Sequence, residues 1–235
     1  MHRFFAGLVT LGLMTAGPAV AAPFVIDDFD DDQGPGFFAD AEVSTTDAAP
    51  NTAFGTDRAI DGRVSGGAAT VEVSDGAFRA STSGAPGFYD FAFTLPGTIS
   101  GSNALDLTGG GTNNALLIDF LSADGLLGDN VVLVLTDAAR NSSRIAVPVG
   151  TIVEATTIAV FFADIRLATT TSSGPLDMTS ITLINVRDTE FSFFGSTQAS
   201  FEIDAVRVGF VPLPAPALLL IGGLGALAFL RRRAA

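Results

Sequence analysis

Carboxylates are nearly the only side chains in this sequence with the chemistry for catalysis or metal binding. Asp and Glu supply 25 of its 235 residues, Cys and Lys are absent, and the single His is His2. Without Cys, and without His beyond the second position, the chain cannot assemble a Ser-His-Asp or Cys-His nucleophile, nor a zinc site of imidazoles and thiolates. No disulfide can form either, so the fold rests on its core alone. Two kinds of chemistry stay open. A pair of carboxyls can run glycoside hydrolysis, and a cluster of them can hold calcium, which takes oxygen ligands at about 2.3–2.6 Å and needs neither imidazole nor thiolate.

The local patterns narrow these choices. In DDFDDDQG, Asp28, Asp30 and Asp32 take the first, third and fifth places of an EF-hand loop, but the sixth is Gln33 instead of Gly and the twelfth is Ala39 instead of Glu. The stretch reads as a solvated acidic loop. LTGGGTNN is not followed by Gly-Lys-Ser/Thr and reads as a turn, not a phosphate cradle. Only Glu42, Glu72, Glu154 and Glu190 precede Glu202, and no strand carries the Glu-x-Asp-x-x-Glu pattern of laminarinase-like hydrolases. Sugar stacking favours Trp or Tyr, whose rings add a polar handle. The chain has no Trp, one Tyr (Tyr89) and 20 Phe. Most of the Phe belong to a core by spacing, with Phe37, Phe38, Phe193 and Phe194 at loop-like or segment-end positions. Contact with a glycan would then rest on Asp, Asn and Arg hydrogen bonds.

All the acidic residues fall between Asp27 and Asp204, and the body over 22–209 that contains them holds eight of the 12 basic residues, a net charge of 8 − 25 = −17. Such a surface repels phosphate backbones, so nucleic acid is not an expected partner. The elements of the span are short runs rich in Val, Ile, Phe and Thr between Gly, Asn, Asp and Ser clusters. Strands are expected to begin at Phe24, Ala69, Ala77, Phe88, Ala115, Val131, Arg144, Thr156, Ile181 and Ser200. The run from Thr156 extends as TTIAVFFADI. Asp75-Gly76 predicts a tight hairpin turn, and DAARNSS a longer hairpin loop. In FYDFAFTL, Tyr89, Phe91, Phe93 and Leu95 share one face, and Asp90 and Thr94 the other. The expectation is a single all-β domain over 22–209, with two packed antiparallel sheets.

Ile26-Asp27-Asp28-Phe29 at the start and Phe201-Glu202-Ile203-Asp204-Ala205-Val206-Arg207-Val208 at the end resemble the first and last strands of galactose-binding-like jelly rolls, a group that includes several families of carbohydrate-binding modules. LDMTSITLINV from Leu176 resembles their penultimate strand. The resemblance implies an antiparallel jelly-roll β-sandwich and polysaccharide binding. It also implies a structural calcium ion where the first and last strands meet, held by Asp27 or Asp28 together with Asp204. Adjacent strand residues point to opposite faces, so only one of Asp27 and Asp28 can be a direct ligand.

The two ends carry targeting signals. MHRFFAGLVTLGLMTAGPAVAA has a basic start, an apolar run and small residues, the pattern of a secretory signal peptide over 1–21. Ala19 and Ala21 occupy the small positions before the cut, leaving Ala22 as the first mature residue. At the other end, Ala215 to Leu230 is uncharged and would make a helix of ~24 Å, which becomes long enough for a membrane core of ~30 Å when counted from Phe210. Arg231, Arg232 and Arg233 would hold its far end in the cytoplasm. Val211-Pro212-Leu213-Pro214-Ala215, a transmembrane helix and an Arg cluster, in that order over 210–235, resemble the PEP-CTERM sorting signals of Gram-negative bacteria in their VPLPA variant. That resemblance implies an exosortase as processing peptidase, with signal peptidase at the other end. It further implies export across the inner membrane and residence at the cell surface or in the extracellular, biofilm matrix. Combined, these features describe an exported, non-catalytic binding component. A carboxylate-dependent glycan-processing enzyme and a ligand-free structural protein kept as a single-pass membrane protein stand as alternatives.

Overall fold

The computed structural model describes residues 23–39, 42–48, 53, 57–83, 88–96, 104–126, 130–167, 174–191 and 198–212. The signal-peptide region, with Ala19, Ala21 and Ala22, lies outside them, as do Leu213, Pro214, Ala215 and the tail through Arg231, Arg232 and Arg233. Among the described residues no helix is long and apolar enough to cross a membrane.

Among the described residues, thirteen strands form two antiparallel sheets. The first runs β11 (Thr156–Phe161), β8 (Ala115–Asp124), β13 (Ser200–Gly209), β6 (Ala77–Ser83), β5 (Ala68–Ser74), β2 (Gln33–Ala39). The second runs β10 (Ser142–Pro148), β9 (Asn130–Asp137), β12 (Ile181–Phe191), β7 (Phe88–Pro96), β4 (Asp57–Ser65), β3 (Glu42–Ala48). Strand β1 (Phe24–Asp27) pairs with β13 beside Val206 to Val208, while β6 takes the same edge beside Ser200 to Ile203.

The pairings nest. Strand β6 lies against β13, β7 against β12, β8 against β11 and β9 against β10, so this part of the chain is one long hairpin folded over into two layers. That is jelly-roll topology. Alternation explains the core: β5 buries Ala69, Val71 and Val73, and β9 buries Val131, Leu133 and Leu135, while the residues between them face outward. Phe78, Phe120 and Phe201 from the first sheet meet Ile60, Leu95, Ile184 and Val186 from the second.

All ten expected strands are present, and both expected hairpins. Asp75 and Gly76 have φ of 51° and 72°, the left-handed pair of a type I′ turn. Two expectations need correction. The run from Thr156 is a strand only to Phe161; Phe162–Leu167 is a short helix, α1, which buries Phe162 and Ile165 three residues apart on one face. The main chain at Phe37 and Phe38 belongs to strand β2, not to a loop, while Phe193 and Phe194 lie outside the described residues.

Candidate functional site

The two ends of the body meet where expected, but the cation there is a side chain. Asp27 and Arg58 are both fully buried. Arg58 stands at an inward position of β4, on the face that also carries Ile60 and Val64. Its Nε and Nη2 donate to the two oxygens of Asp27 at 2.9 and 3.0 Å, a bidentate pair, and its Nη1 donates to the carbonyl of Asp31 at 2.9 Å. The guanidinium also lies 5.2 Å from the ring centre of Phe29. Phe29 is buried with φ of 56°, and its N–H donates to Asp27 Oδ1 at 2.9 Å. Burial pushes the Asp27 carboxyl above the ordinary carboxylate range, against the pull of Arg58. One charge pair thus ties β1 and the acidic loop after it to the opposite sheet.

This arrangement does not fit calcium at Asp27. Both of its oxygens accept from Arg58, and it faces the interior. Asp204 sits at an irregularity in β13, between Ile203 and Ala205, and is exposed on the outer face. The structure therefore does not bring Asp27 and Asp204 together. Asp28 is half-buried and accepts from the Asp30 N–H at 3.4 Å. No cluster of three or more His, Cys, Asp or Glu able to hold a metal occurs among the described residues.

The outer face of the first sheet is covered by matched charges. Arg207 donates to both oxygens of Asp119 at 2.5 and 2.7 Å, Thr157 donates to the same carboxylate, and Arg79 donates to Glu202 at 2.8 Å. Surface pairs of this sort, here partly buried, contribute little to stability, roughly 0–1 kcal/mol each.

The outer face of the second sheet differs. Strands β4, β7 and β12 are central in it, and their outward residues are Asp61 and Arg63, then Asp90, Ala92 and Thr94, then Asn185 and Arg187. Registration places Asp61 opposite Ala92, and Ala92 opposite Arg187, so a methyl group lies between a carboxylate and a guanidinium. The small side chain leaves a trough of about 240 Å³ lined by Asp61, Gly62, Arg63, Asp90, Ala92, Asn185 and Arg187. Its walls are pre-set: Arg187 Nη2 donates to Asp90 at 2.6 Å, and Asn185 Nδ2 donates to Thr94 Oγ1 at 2.7 Å. The trough presents several polar hydrogen-bonding groups over a shallow apolar floor. It is smaller than the roughly 300–1,000 Å³ of pockets for drug-sized ligands.

No protein-family model matches the sequence, and no curated protein does. Solved structures do resemble the fold. One is a family 11 carbohydrate-binding module from Clostridium thermocellum in complex with a β-1,3-1,4-mixed-linked tetrasaccharide, at 11% identity and a TM-score of 0.40, covering 80% of this chain and 96% of that one. A solution structure of a family 11 module gives 12% identity and a TM-score of 0.41, over 81% and 96% of the two chains. An exo-β-agarase gives 13% identity and a TM-score of 0.43, over 82% of this chain and 26% of that one. Likenesses this distant concern the fold and say nothing of a ligand.

Sequence reasoning missed both Arg58 and the trough. Asp61 and Arg63 sit in DRAIDGRVS, whose four charges and glycine hide the alternation of a strand. The one available signal was compositional: Asp, Asn and Arg were the groups expected to carry glycan contact, and these are the groups the trough gathers.

Proposed function

We propose that the protein is an exported, non-catalytic binding component of the cell surface or extracellular matrix, and that it contacts polysaccharide through the trough on the outer face of its second sheet. The observation that carries this reading is the set of polar side chains held by their neighbours around the Ala92 floor. A sugar presents hydroxyls that both donate and accept; carboxylate, amide and guanidinium groups match both roles. No aromatic platform is invoked, so affinity comes from hydrogen bonds made by groups already in place, which reduces the ordering cost of binding. Delivery follows from the ends: a signal peptide over 1–21 cut by signal peptidase, and a sorting signal over 210–235 inserted in the inner membrane and processed by an exosortase-type peptidase.

An array of soluble and insoluble polysaccharides, probed with protein spanning residues 22–212, tests the binding half. At least one glycan should be retained, and Asn185→Ala should weaken it about tenfold, or ~1.4 kcal/mol. A blank array, or retention untouched by Asn185→Ala, sinks the trough as the binding site. The intact mass of extracellular material from the native host tests the delivery half: it should lack both Met1 to Ala21 and the apolar tail.

A further inference from the structure

We propose that Asn114 is a clasp that holds Val211, the first residue of the motif, against the end of the β-sandwich, and that it thereby sets where a processing peptidase can take hold of the chain. The peptidase part rests on the reading of the tail as a sorting signal; the clasp itself rests on four hydrogen bonds. Asn114 stands just before β8. Its main-chain N–H donates to the Gly209 carbonyl at 3.1 Å, and its carbonyl accepts from the Phe162 N–H at 2.9 Å. Its side chain faces the departing chain: Nδ2 donates to the Val211 carbonyl at 2.9 Å, and the Val211 N–H donates to Oδ1 at 2.8 Å. One residue thus joins the start of β8, the end of β13, the start of α1 and the first residue of the motif.

Strand pairing between β13 and β8 stops at Gly209, and Phe210 is exposed, yet Val211 is held again. A primary amide can do this because it carries one acceptor and donors in a single plane, and so imitates the edge of a neighbouring strand. Holding ends there for a covalent reason: Pro212 has no N–H to give. Peptidases that bind extended substrates use the substrate's own main-chain N–H and C=O groups. In this chain both groups of Val211 are already committed. An enzyme must therefore break two hydrogen bonds to take hold of the Val211 main chain. A cleft of about 720 Å³ beside Val211 and Pro212, lined also by Phe161, Phe162 and Arg166, gives it room to approach.

The test uses the full chain in detergent micelles, with two readouts. In the wild type, the Val211 N–H should exchange with deuterium about tenfold more slowly than in Asn114→Ala, the cost of about one net hydrogen bond. Digestion with a broad-specificity protease should leave wild-type protein ending at or beyond Pro212, while Asn114→Ala is trimmed to Phe210 or further. Asn114→Asp keeps an acceptor for Val211 and loses the donor, so its protection should fall between the two, and it serves where Asn114→Ala fails to fold. Equal exchange at Val211 in wild type and variants, or one common trimming boundary, overturns the clasp. An exported but unprocessed wild-type tail in the host would instead overturn the sorting reading, and with it the peptidase as user of the clasp, while the exchange data still decide the clasp.

Discussion

Replacing Arg58 by Met keeps most of an unbranched side chain's bulk and removes the charge from the centre of the molecule. The variant loses both hydrogen bonds to Asp27, the bond to the Asp31 carbonyl and the contact over Phe29, and leaves Asp27 buried with the Phe29 N–H as its remaining donor among the contacts described above. Removing one partner of a buried pair costs about 3–5 kcal/mol, because the other charge is left without compensation. For a body of this size that is a fall in Tm of about 6–20 °C. The loss should depend on pH, in a sense fixed by Asp27. Burial already raises its pKa above the ordinary 3.8, and Arg58 is the largest opposing influence. Without Arg58 the folded-state value rises further. A carboxyl with a folded pKa above its unfolded one binds the proton more tightly when folded, so stability falls as pH climbs from about 3.8 through the folded value and is flat above it. The deficit of Arg58→Met should therefore be greatest at neutral pH and shrink in acid. Urea melts at several pH values measure it, and Asp27→Asn combined with Arg58→Met should recover part of the loss, a coupling that a double-mutant cycle reads directly. A loss under about 1 kcal/mol at neutral pH, or one that does not change with pH, would refute an ionised, buried pair.

Melting of the wild type in calcium and in chelator should give coincident curves, since both Asp27 oxygens are engaged by Arg58 in the interior; a calcium-dependent rise in Tm abolished by Asp204→Ala would restore the metal. Gly34→Ala should be strongly destabilising by thermal melt, because φ is 140° there and a Cβ would lie 2.6 Å from the Glu72 Cα, between β2 and β5. The Thr179 and Ser180 hydroxyls and the Thr179 N–H hold Asp177 below the ordinary carboxylate range. Its stabilising part should thus be present above about pH 3.8 and fade as pH drops through the folded value, so acid melts of Asp177→Ala and wild type should converge.

The jelly roll was legible because its eight nested strands are apolar, β-branched and bounded by turn residues, and because Asp75-Gly76 favours a tight hairpin turn. The three strands that were not foreseen, β2, β3 and β4, are QGPGFFA, EVSTTDA and DRAIDGRVS. Glycine, proline and charge read as loop in each, and the pairing comes from neighbours distant in sequence: β5 for β2, and β7 for β4, with β3 on the edge beyond. In β4 the concealment is sharpest, since its inward face begins with an arginine. The trough could not be read for the same reason. Its walls come from three strands, and only their register brings Asp61, Ala92 and Arg187 into one row.

Asp27 carries the more general point. An aspartate at the end of the first strand, beside the last, invites a cation, and the sequence points to calcium alone because Arg58 stands 31 residues away in a segment that does not look like a strand. The two solutions differ physically. A metal ion ties strands together only while it is bound, and its contribution varies as RT ln(1 + [L]/Kd) with the free ion. A guanidinium on β4 is present in every folded copy, at a concentration set by the chain itself. It also carries geometry that a spherical ion lacks: its planar fork fits the two Asp27 oxygens, and its third nitrogen reaches the Asp31 carbonyl, so the same group fixes the orientation of β1 and the path of the loop that follows. In a fold without disulfides, that makes the joint between its two sheets independent of the ions around it.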